Sequence, residues 1–261
     1  MYFKKGERKL KKLLVLVLGV FVFVLLGCQN HENVLIVLTS SGYEPYEMVD
    51  TNGELTGFDI ELMEALAEEA GIEIEWLDVD FNGILASLES GTHEVAIAGI
   101  TPTPDRLEVL DFSEVYYNSE EGVQNYLIYK NTNQFESLND LEGLVVGAQL
   151  GTIQAELISE LSESLGFTEE LRNLNSQIIE EIRINSIDAL VVESLVADAI
   201  LEVNTDFKKI ELTESTEMLY GNAIAFSKGS QYKAIFDDAL EVIKANGTLD
   251  ELIAKWFEIE S

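Results

Sequence analysis

Short apolar runs of strand length alternate along this chain with longer stretches of helical periodicity. Residues 34–39 form a continuous apolar run, which is typical of a strand buried on both faces. Residues 58–70 place apolar side chains at helical spacing and stop before Gly71, which predicts a helix with a glycine cap. Alternating residues 72–79 and the apolar run 95–98 predict two further strands. This order predicts an α/β fold with a doubly wound sheet.

A second series of the same kind follows later in the chain. Residues 144–147 and 189–192 predict buried strands, and a helix is predicted between them at 153–165. The run 223–226 predicts a returning strand, and further helices are predicted at 82–90, 175–184, 194–201, 231–245 and 249–257. No internal repeat and no low-complexity linker separates the two series. We therefore expect two lobes joined by strands, which can hinge but cannot drift apart.

The N-terminus has the features of an export signal. A basic run is followed by the apolar stretch Leu13–Leu26, which is shorter than the ~20 residues that a membrane-spanning helix needs. The stretch ends in Leu25-Leu-Gly-Cys28, which resembles a bacterial lipobox. We predict a signal peptide at 1–27, a lipid on Cys28 that anchors the chain at the outer face of the cell membrane or in the periplasm, and a tether at 28–33. A plain secretory signal or an uncleaved anchor is the alternative.

Charge and cysteine content narrow the classes of function. The chain has 16 Lys and Arg against 48 Asp and Glu, a net charge of −32, which excludes nucleic acid and anionic lipid as partners of the folded body. A hydrophobic fraction of 47% argues against disorder. With one cysteine and two isolated histidines, we expect no disulfide, no metal and no cofactor.

Arg106 is conspicuous because no Lys or Arg occurs between residues 13 and 105. It follows the predicted strand at 95–98, and Thr103 is suited to cap a helix that begins there. A guanidinium beside the free N–H groups of a helix start is suited to bind a carboxylate. The alternative is a surface salt bridge from Arg106 to Glu108 or Asp111.

Polar and aromatic residues follow the other predicted strands at equivalent positions. Because such strand ends border a crevice in α/β folds, we nominate these residues as candidates for a binding site. Tyr43 and Phe81 would sandwich an aliphatic group, although each alone is more often a core residue. A carboxylate at Glu193 would accept an ammonium group, although an ordinary solvated acid is the alternative. A cation and an anion across one crevice suit a zwitterion. The other nominees are Ser40, Thr101, Gln149, Thr152 and Ile153.

The order of several short motifs carries a family resemblance. The chain resembles the family 3 solute-binding proteins, the polar amino-acid receptors of ABC importers, from about residue 34 to its C-terminus. The motifs are Tyr43-Glu-Pro-Tyr46, Gly57-Phe-Asp-Ile60, Phe81-Asn-Gly-Ile-Leu-Ala-Ser-Leu-Glu-Ser-Gly91, Ile100-Thr-Pro-Thr-Pro-Asp-Arg106, Asp111-Phe-Ser113, Val146-Gly-Ala-Gln-Leu-Gly-Thr152, Ile187-Asp-Ala-Leu190 and Gly247-Thr-Leu249.

The resemblance implies a periplasmic-binding-protein-like fold, with lobe 1 at 34–120 plus 221–261, lobe 2 at 121–220, and hinge strands near 119–123 and 219–221. It implies a free polar amino acid as ligand, with basic and glutamine-like side chains as candidates, captured by lobe closure and delivered to the permease subunits of an ABC transporter. We expect a monomer and no enzymatic activity. The alternatives are an enzyme similar to cyclohexadienyl dehydratases, which the lack of any Ser–His or Cys–His pairing disfavours, and a ligand-sensing ectodomain.

The resemblance also assigns roles within the candidate site. Arg106 would bind the ligand carboxylate, Gly99 and Thr101 would bind through backbone and hydroxyl, and Glu193 would take the ammonium. Two positions depart from the family pattern. Ile153 stands where many relatives have Thr, so a hydroxyl is lost there. Ser40 stands where receptors for basic amino acids or glutamine often have Asp, which weighs against an Arg or Lys ligand unless Glu44 or Glu47 substitutes.

Overall fold

The computed structural model describes residues 34–118, 124–133, 135, 137–212 and 221–257. The predicted signal peptide, Cys28 and the tether therefore lie outside the described residues. The same is true of residues 119–123 and of the first two residues of the predicted hinge at 219–221.

Within the described residues, twelve strands form two main sheets and one small ribbon. They are β1 (Leu35–Thr39), β2 (Met48–Val49), β3 (Leu55–Thr56), β4 (Ile74–Asp78), β5 (Val95–Ala96), β6 (Leu110–Phe112), β7 (Asn125–Lys130), β8 (Val145–Gln149), β9 (Thr168–Arg172), β10 (Ala189–Glu193), β11 (Phe207–Glu211) and β12 (Ala225–Ser227).

The helices of the described residues connect these strands or pack at the C-terminus. They are α1 (Phe58–Ala70), α2 (Phe81–Glu89), α3 (Pro104–Val109), α4 (Ile153–Leu165), α5 (Asn175–Arg183), α6 (Ser194–Val203), α7 (Tyr232–Ala245) and α8 (Thr248–Phe257), with a short 3-10 helix at Leu138–Leu141. Within the part of the chain that the structure describes, none of these helices is both long and apolar enough to cross a bilayer.

The first sheet has the strand order β4-β1-β5-β12-β6. Strand β1 runs parallel to β4 and β5, whereas β12 runs antiparallel to β5 and β6. Leu35 and Val37 share a buried cluster with α1 residues such as Leu62, while Leu38 packs with Ile84 of α2. Alternate residues of one strand thus meet different helices, so helices cover both faces of this sheet.

The second sheet repeats this arrangement with the order β11-β7-β10-β8-β9. Strand β10 is parallel to β8, which is parallel to β9, and β7 is antiparallel to both β10 and β11. Leu190 clusters with Ile178 of α5, and Val191 clusters with Ile158 of α4. Both faces of this sheet are therefore covered as well, and its parallel strands direct their carboxyl ends to one edge.

The predicted α/β fold class is confirmed, and most predicted elements are present with small shifts at their ends. The helix at 58–70 has the predicted bounds, and Gly71 closes it in the left-handed conformation with φ of 65°. Strands β6, β7, β9 and β11 were not predicted. Gly57, just before α1, has φ of 132°, and a Cβ there would lie 2.2 Å from the Tyr46 carbonyl oxygen. The turn into α1 thus requires glycine.

Candidate functional site

A crevice opens where the strand ends of the two sheets meet, with about 360 Å³ of empty space including the solvent at its mouth. The loops after β1 and β5 and the start of α2 form one side, and the β8–α4 junction and the end of β10 form the other. All of the nominated residues line it: Ser40, Tyr43, Phe81, Gly99, Thr101, Arg106, Gln149, Thr152, Ile153 and Glu193. Glu47, Ala98 and Gln154 complete the lining.

Arg106 lies in the first turn of α3, as the sequence predicted. The helix begins because Thr103 caps it, with its hydroxyl accepting from the Arg106 amide at 3.3 Å. The guanidinium is buried, and its Nη1 donates to the Thr101 carbonyl at 2.8 Å while Nη2 donates to the Gly151 carbonyl at 2.9 Å. Arg106 thus spans from its own loop to the β8–α4 junction across the crevice.

The predicted alternative, an ion pair to Glu108 or Asp111, is absent from the ion pairs of the described residues, and Asp111 pairs instead with Lys228 at 3.1 Å. Burial lowers the pKa of the Arg106 guanidinium, with the nearby Glu156 acting in the opposite direction. The Phe81 ring lies 5.6 Å from the Arg106 guanidinium carbon, in cation–π contact. Arg106 is therefore a buried cation whose hydrogen-bond partners are neutral carbonyl groups, so an anionic ligand would supply its counter-charge.

The start of α4 offers backbone rather than hydroxyl groups. The Thr152 hydroxyl donates to the Gln149 carbonyl at 2.7 Å and accepts from the Ala155 amide at 3.2 Å, so it caps its own helix. The hydroxyl of this nominated residue is thereby used within the protein. Ile153, 5% exposed, is the first residue of α4, and its amide belongs to the free N–H groups of a helix start.

Glu193 and Glu47 bring two buried carboxylates to the crevice, with 6% and 1% of their surfaces exposed. Glu193 ends β10, and its carboxylate lies close to the Tyr46 hydroxyl. Among the described residues, the Glu193 Oε1 atom and both carboxylate oxygens of Glu47 have no hydrogen-bond partner. Glu44, the other substitute considered from the sequence, is half-buried and is not part of the lining.

A third buried carboxylate lies directly behind the lining. Asp59, in the first turn of α1, is fully buried, and its Oδ2 accepts from the Gly99 amide at 2.7 Å and from the Tyr116 hydroxyl at 2.9 Å. Its Oδ1 has no partner within the described residues. This aspartate belongs to the family motif Gly57-Phe-Asp-Ile60, but the sequence predicts no site role for it, because an acid in the first turn of a helix is ordinary.

These carboxylates perturb one another. Burial raises the pKa of Glu193 to about 7, partly offset by the hydrogen bond from Tyr46. Burial likewise raises the pKa of Asp59 to about 7, against the hydrogen bonds from Gly99 and Tyr116. Burial, followed by the charges of Asp59 and Glu193, raises the pKa of Glu47 well above its usual range. The crevice therefore lacks the positive charge that would keep these three carboxylates ionised.

The described residues hold no group of three or more His, Cys, Asp and Glu placed to bind a metal ion. The arrangement instead provides one buried guanidinium, a helix start and carboxylates with unfilled hydrogen-bonding capacity. Such groups bind an organic molecule that carries both an anionic and a cationic group.

The sequence profile of the bacterial extracellular solute-binding proteins, family 3, matches residues 35–259. The chain belongs to this family. The match covers all of the described structure except Val34, so the resemblance suggested by the short motifs is confirmed.

Similar proteins carry the names of binding proteins rather than enzymes. The arginine-binding extracellular protein ArtP of Bacillus subtilis is 37% identical over 254 residues, which is 95% of this chain and 98% of the relative. A probable histidine-binding protein of Campylobacter jejuni is 30% identical and aligns over 90% of each chain. The family 3 protein described here accordingly has a solute-binding and not an enzymatic role.

Solved structures agree with the sequence relatives. An ancestral arginine-binding protein bound to arginine superposes with a TM-score of 0.79 at 32% identity, covering 87% of this chain and 100% of the other. The arginine-, lysine-, histidine-binding protein ArtJ from Geobacillus stearothermophilus gives a TM-score of 0.77 at 25% identity, with coverage of 88% and 97%.

Proposed function

We propose that this family 3 protein captures a free amino acid with a cationic side chain, arginine foremost, outside the cytoplasm and delivers it to an ABC importer. One observation carries the proposal. A single crevice is lined by one buried guanidinium, Arg106, and by two buried carboxylates, Glu47 and Glu193, that retain unpartnered oxygens. An amino acid with a basic side chain carries the matching charges, one negative and two positive.

The main-chain groups of the ligand have evident partners. The α-carboxylate would bind the Arg106 guanidinium and the free amide of Ile153, since charged hydrogen bonds and helix starts both favour anions. The α-ammonium would bind Glu193, with the Gly99 carbonyl and the Thr101 hydroxyl beside it. Tyr43 and Phe81 would enclose the aliphatic stem.

The side chain would be selected by Glu47. Ser40 stands where receptors for basic amino acids often have an aspartate, and its buried hydroxyl has no partner among the described residues. Glu47 lines the same crevice, so it supplies a carboxylate that Ser40 lacks. The relatives named for arginine and for arginine, lysine and histidine support a basic ligand over a glutamine-like one.

Capture would proceed by closure of two lobes, at 34–120 plus 221–261 and at 121–220. The Arg106 contact to the Gly151 carbonyl links elements of the two sheets, and ligand contacts made in the closed state would favour that state. The protein would act as a monomer anchored through a lipid on Cys28. Cys28→Ala in the expressed full-length chain should abolish membrane retention and the lipid mass seen by mass spectrometry.

A thermal-shift screen of the amino acids on the purified protein tests the proposal. Arginine at about 100 times its Kd should stabilise the protein by about 2.7 kcal/mol. For a domain of this size, this energy corresponds to a rise in Tm of roughly 5–10 °C. Neutral and acidic amino acids should give much smaller shifts. A screen in which no amino acid raises Tm contradicts amino-acid capture, and a screen led by an acidic or aliphatic amino acid contradicts the role of Glu47.

A further inference from the structure

We infer that Asp59 is a positioning residue for ligand binding. Its carboxylate links Gly99, at one end of the crevice, to the chain segments that connect the two sheets. The inference rests on the proposed amino-acid capture and adds a residue that does not itself line the crevice. A single carboxylate oxygen of Asp59 accepts hydrogen bonds from two residues far away in the sequence.

Asp59 fixes one of the crevice residues through the backbone. Its Oδ2 accepts from the amide of Gly99, 40 positions away, at 2.7 Å. Gly99 has φ of 56°, and a Cβ added there would lie 3.1 Å from the Tyr43 ring. Because the amide is held by Asp59, the carbonyl is the polar backbone group that Gly99 can offer to a ligand. Within the described residues, no hydrogen bond is made to that carbonyl.

The same oxygen reaches the connection between the sheets. It accepts from the hydroxyl of Tyr116, 57 positions away, at 2.9 Å. Tyr116 lies between β6 of the first sheet and β7 of the second, and its amide donates to the Asn222 carbonyl at 2.9 Å. Asn222 lies on the returning connection, between β11 and β12, and pairs with Tyr117. Asp59 therefore contacts the crevice and a connecting segment at once.

The charge of Asp59 is costly to the fold. A buried carboxylate with one unpartnered oxygen is destabilising, and an asparagine could satisfy the same partners at lower cost. The ionisable groups beside Asp59 are the hydroxyl of Tyr116 and the carboxylates of Glu193 and Glu47. None of these groups takes part in an ion pair within the described residues. A bound ammonium group supplies the missing positive charge, so ligand binding favours the ionised Asp59, whose hydrogen bonds are then strongest.

The test compares Asp59→Asn and Tyr116→Phe, singly and combined, with a matched control. Asp188→Asn is that control, because Asp188 also accepts a backbone amide, that of Val145 at 2.9 Å, and lies away from the crevice. Arginine affinity is measured at pH 8 by calorimetry, ligand-free Tm by a melting scan, and exchange of the Gly99 amide by NMR.

Asp59→Asn should weaken arginine binding roughly tenfold, since it replaces charged hydrogen bonds by neutral ones. Its ligand-free Tm should be equal or higher, and its Gly99 amide should exchange faster. Tyr116→Phe should weaken arginine binding about threefold. The double variant should weaken it by less than the product of the two single effects, because both changes affect one network. Asp188→Asn should leave affinity unchanged.

Wild-type affinity and wild-type Gly99 exchange in Asp59→Asn would overturn the inference. A fall of Tm in step with affinity would also overturn it, since that is the behaviour of a residue needed only for folding. If Asp59→Asn does not fold, Tyr116→Phe decides by the same measurements. Absence of arginine binding by the wild-type protein would contradict the proposed function instead, and Gly99 exchange in the ligand-free variants would still test the role of Asp59.

Discussion

Replacement of Glu47 by glutamine should remove the preference for a positively charged side chain while leaving the rest of the crevice intact. Glu47 is 1% exposed, lines the crevice, and has two oxygens without a partner among the described residues. Glutamine has almost the same shape but no charge. Citrulline is the corresponding ligand change, because its neutral ureido group replaces the guanidinium of arginine at equal length.

The size of the effect follows from the environment of Glu47. Removing one partner of a buried ion pair typically costs about 3–5 kcal/mol. Burial and the neighbouring acids raise the pKa of Glu47 well above its usual range, so part of that energy is used to ionise the carboxyl when arginine binds. We therefore expect a loss of about 2–3 kcal/mol, which corresponds to roughly 30- to 150-fold weaker arginine binding.

Isothermal titration calorimetry with both ligands on both proteins gives a double-mutant cycle. Wild type should prefer arginine to citrulline, Glu47→Gln should bind the two about equally, and the coupling energy should exceed about 1.5 kcal/mol. Glu44→Gln is the matched control, since it removes the same charge from a half-buried residue three positions earlier that does not line the crevice. An unchanged arginine-to-citrulline ratio in Glu47→Gln, or an equal loss in Glu44→Gln, would refute the assignment.

Three further outcomes follow. Arg106→Ala should weaken amino-acid binding at least ~100-fold, because the ligand carboxylate loses a desolvated charged partner, while ligand-free Tm stays within a few degrees; unchanged affinity by calorimetry would contradict a carboxylate role. Arginine affinity should fall from pH 8 to pH 5.5, since Asp59 and Glu193, with pKa values raised to about 7, must be ionised to attract a cation. Between about pH 4 and 7, these same two groups should lower the stability of the ligand-free protein as pH rises. Arginine affinity and ligand-free stability that both stay constant with pH would contradict the burial of these carboxylates. Gly57→Ala should destabilise the protein by about 2–3 kcal/mol in urea unfolding, because its φ is 132° and a Cβ would lie 2.2 Å from the Tyr46 carbonyl oxygen; a neutral result would contradict that geometry.

The elements with strong local signals were predictable from the sequence. The helix Phe58–Ala70 has a clear period and a glycine cap, and Thr103 and Pro104 mark the start of a short helix. Strands β9 and β11 were missed because Thr168–Arg172 and Phe207–Glu211 are charged segments at sheet edges. Such strands are stabilised by pairing with a neighbour and not by their own propensity, so no local pattern reveals them.

The sequence predicted the cation of the site more clearly than it predicted the buried acids. Arg106 stood out because basic residues are rare and none precedes it back to residue 13. Glu47 could be named only as one of two substitutes for Ser40, and Asp59 only as part of a family motif, since each is one of 48 acids and burial is decided by tertiary packing. The topological rule that strand ends border a crevice brought the nominated residues together, but it does not extend to a carboxylate that lies one layer behind the lining.

The buried acids also connect binding with stability in a way that a neutral crevice would not. Each of Glu47, Asp59 and Glu193 pays a desolvation cost in the ligand-free protein that Arg106, held by carbonyl groups, does not offset. Their neutral variants should therefore raise ligand-free Tm at pH 8 even as they weaken arginine binding, and removal of Arg106 should not do so. If the neutral variants of all three acids gain stability and the Arg106 variant does not, the acids are retained for ligand binding, because the bound cation is what makes their burial favourable.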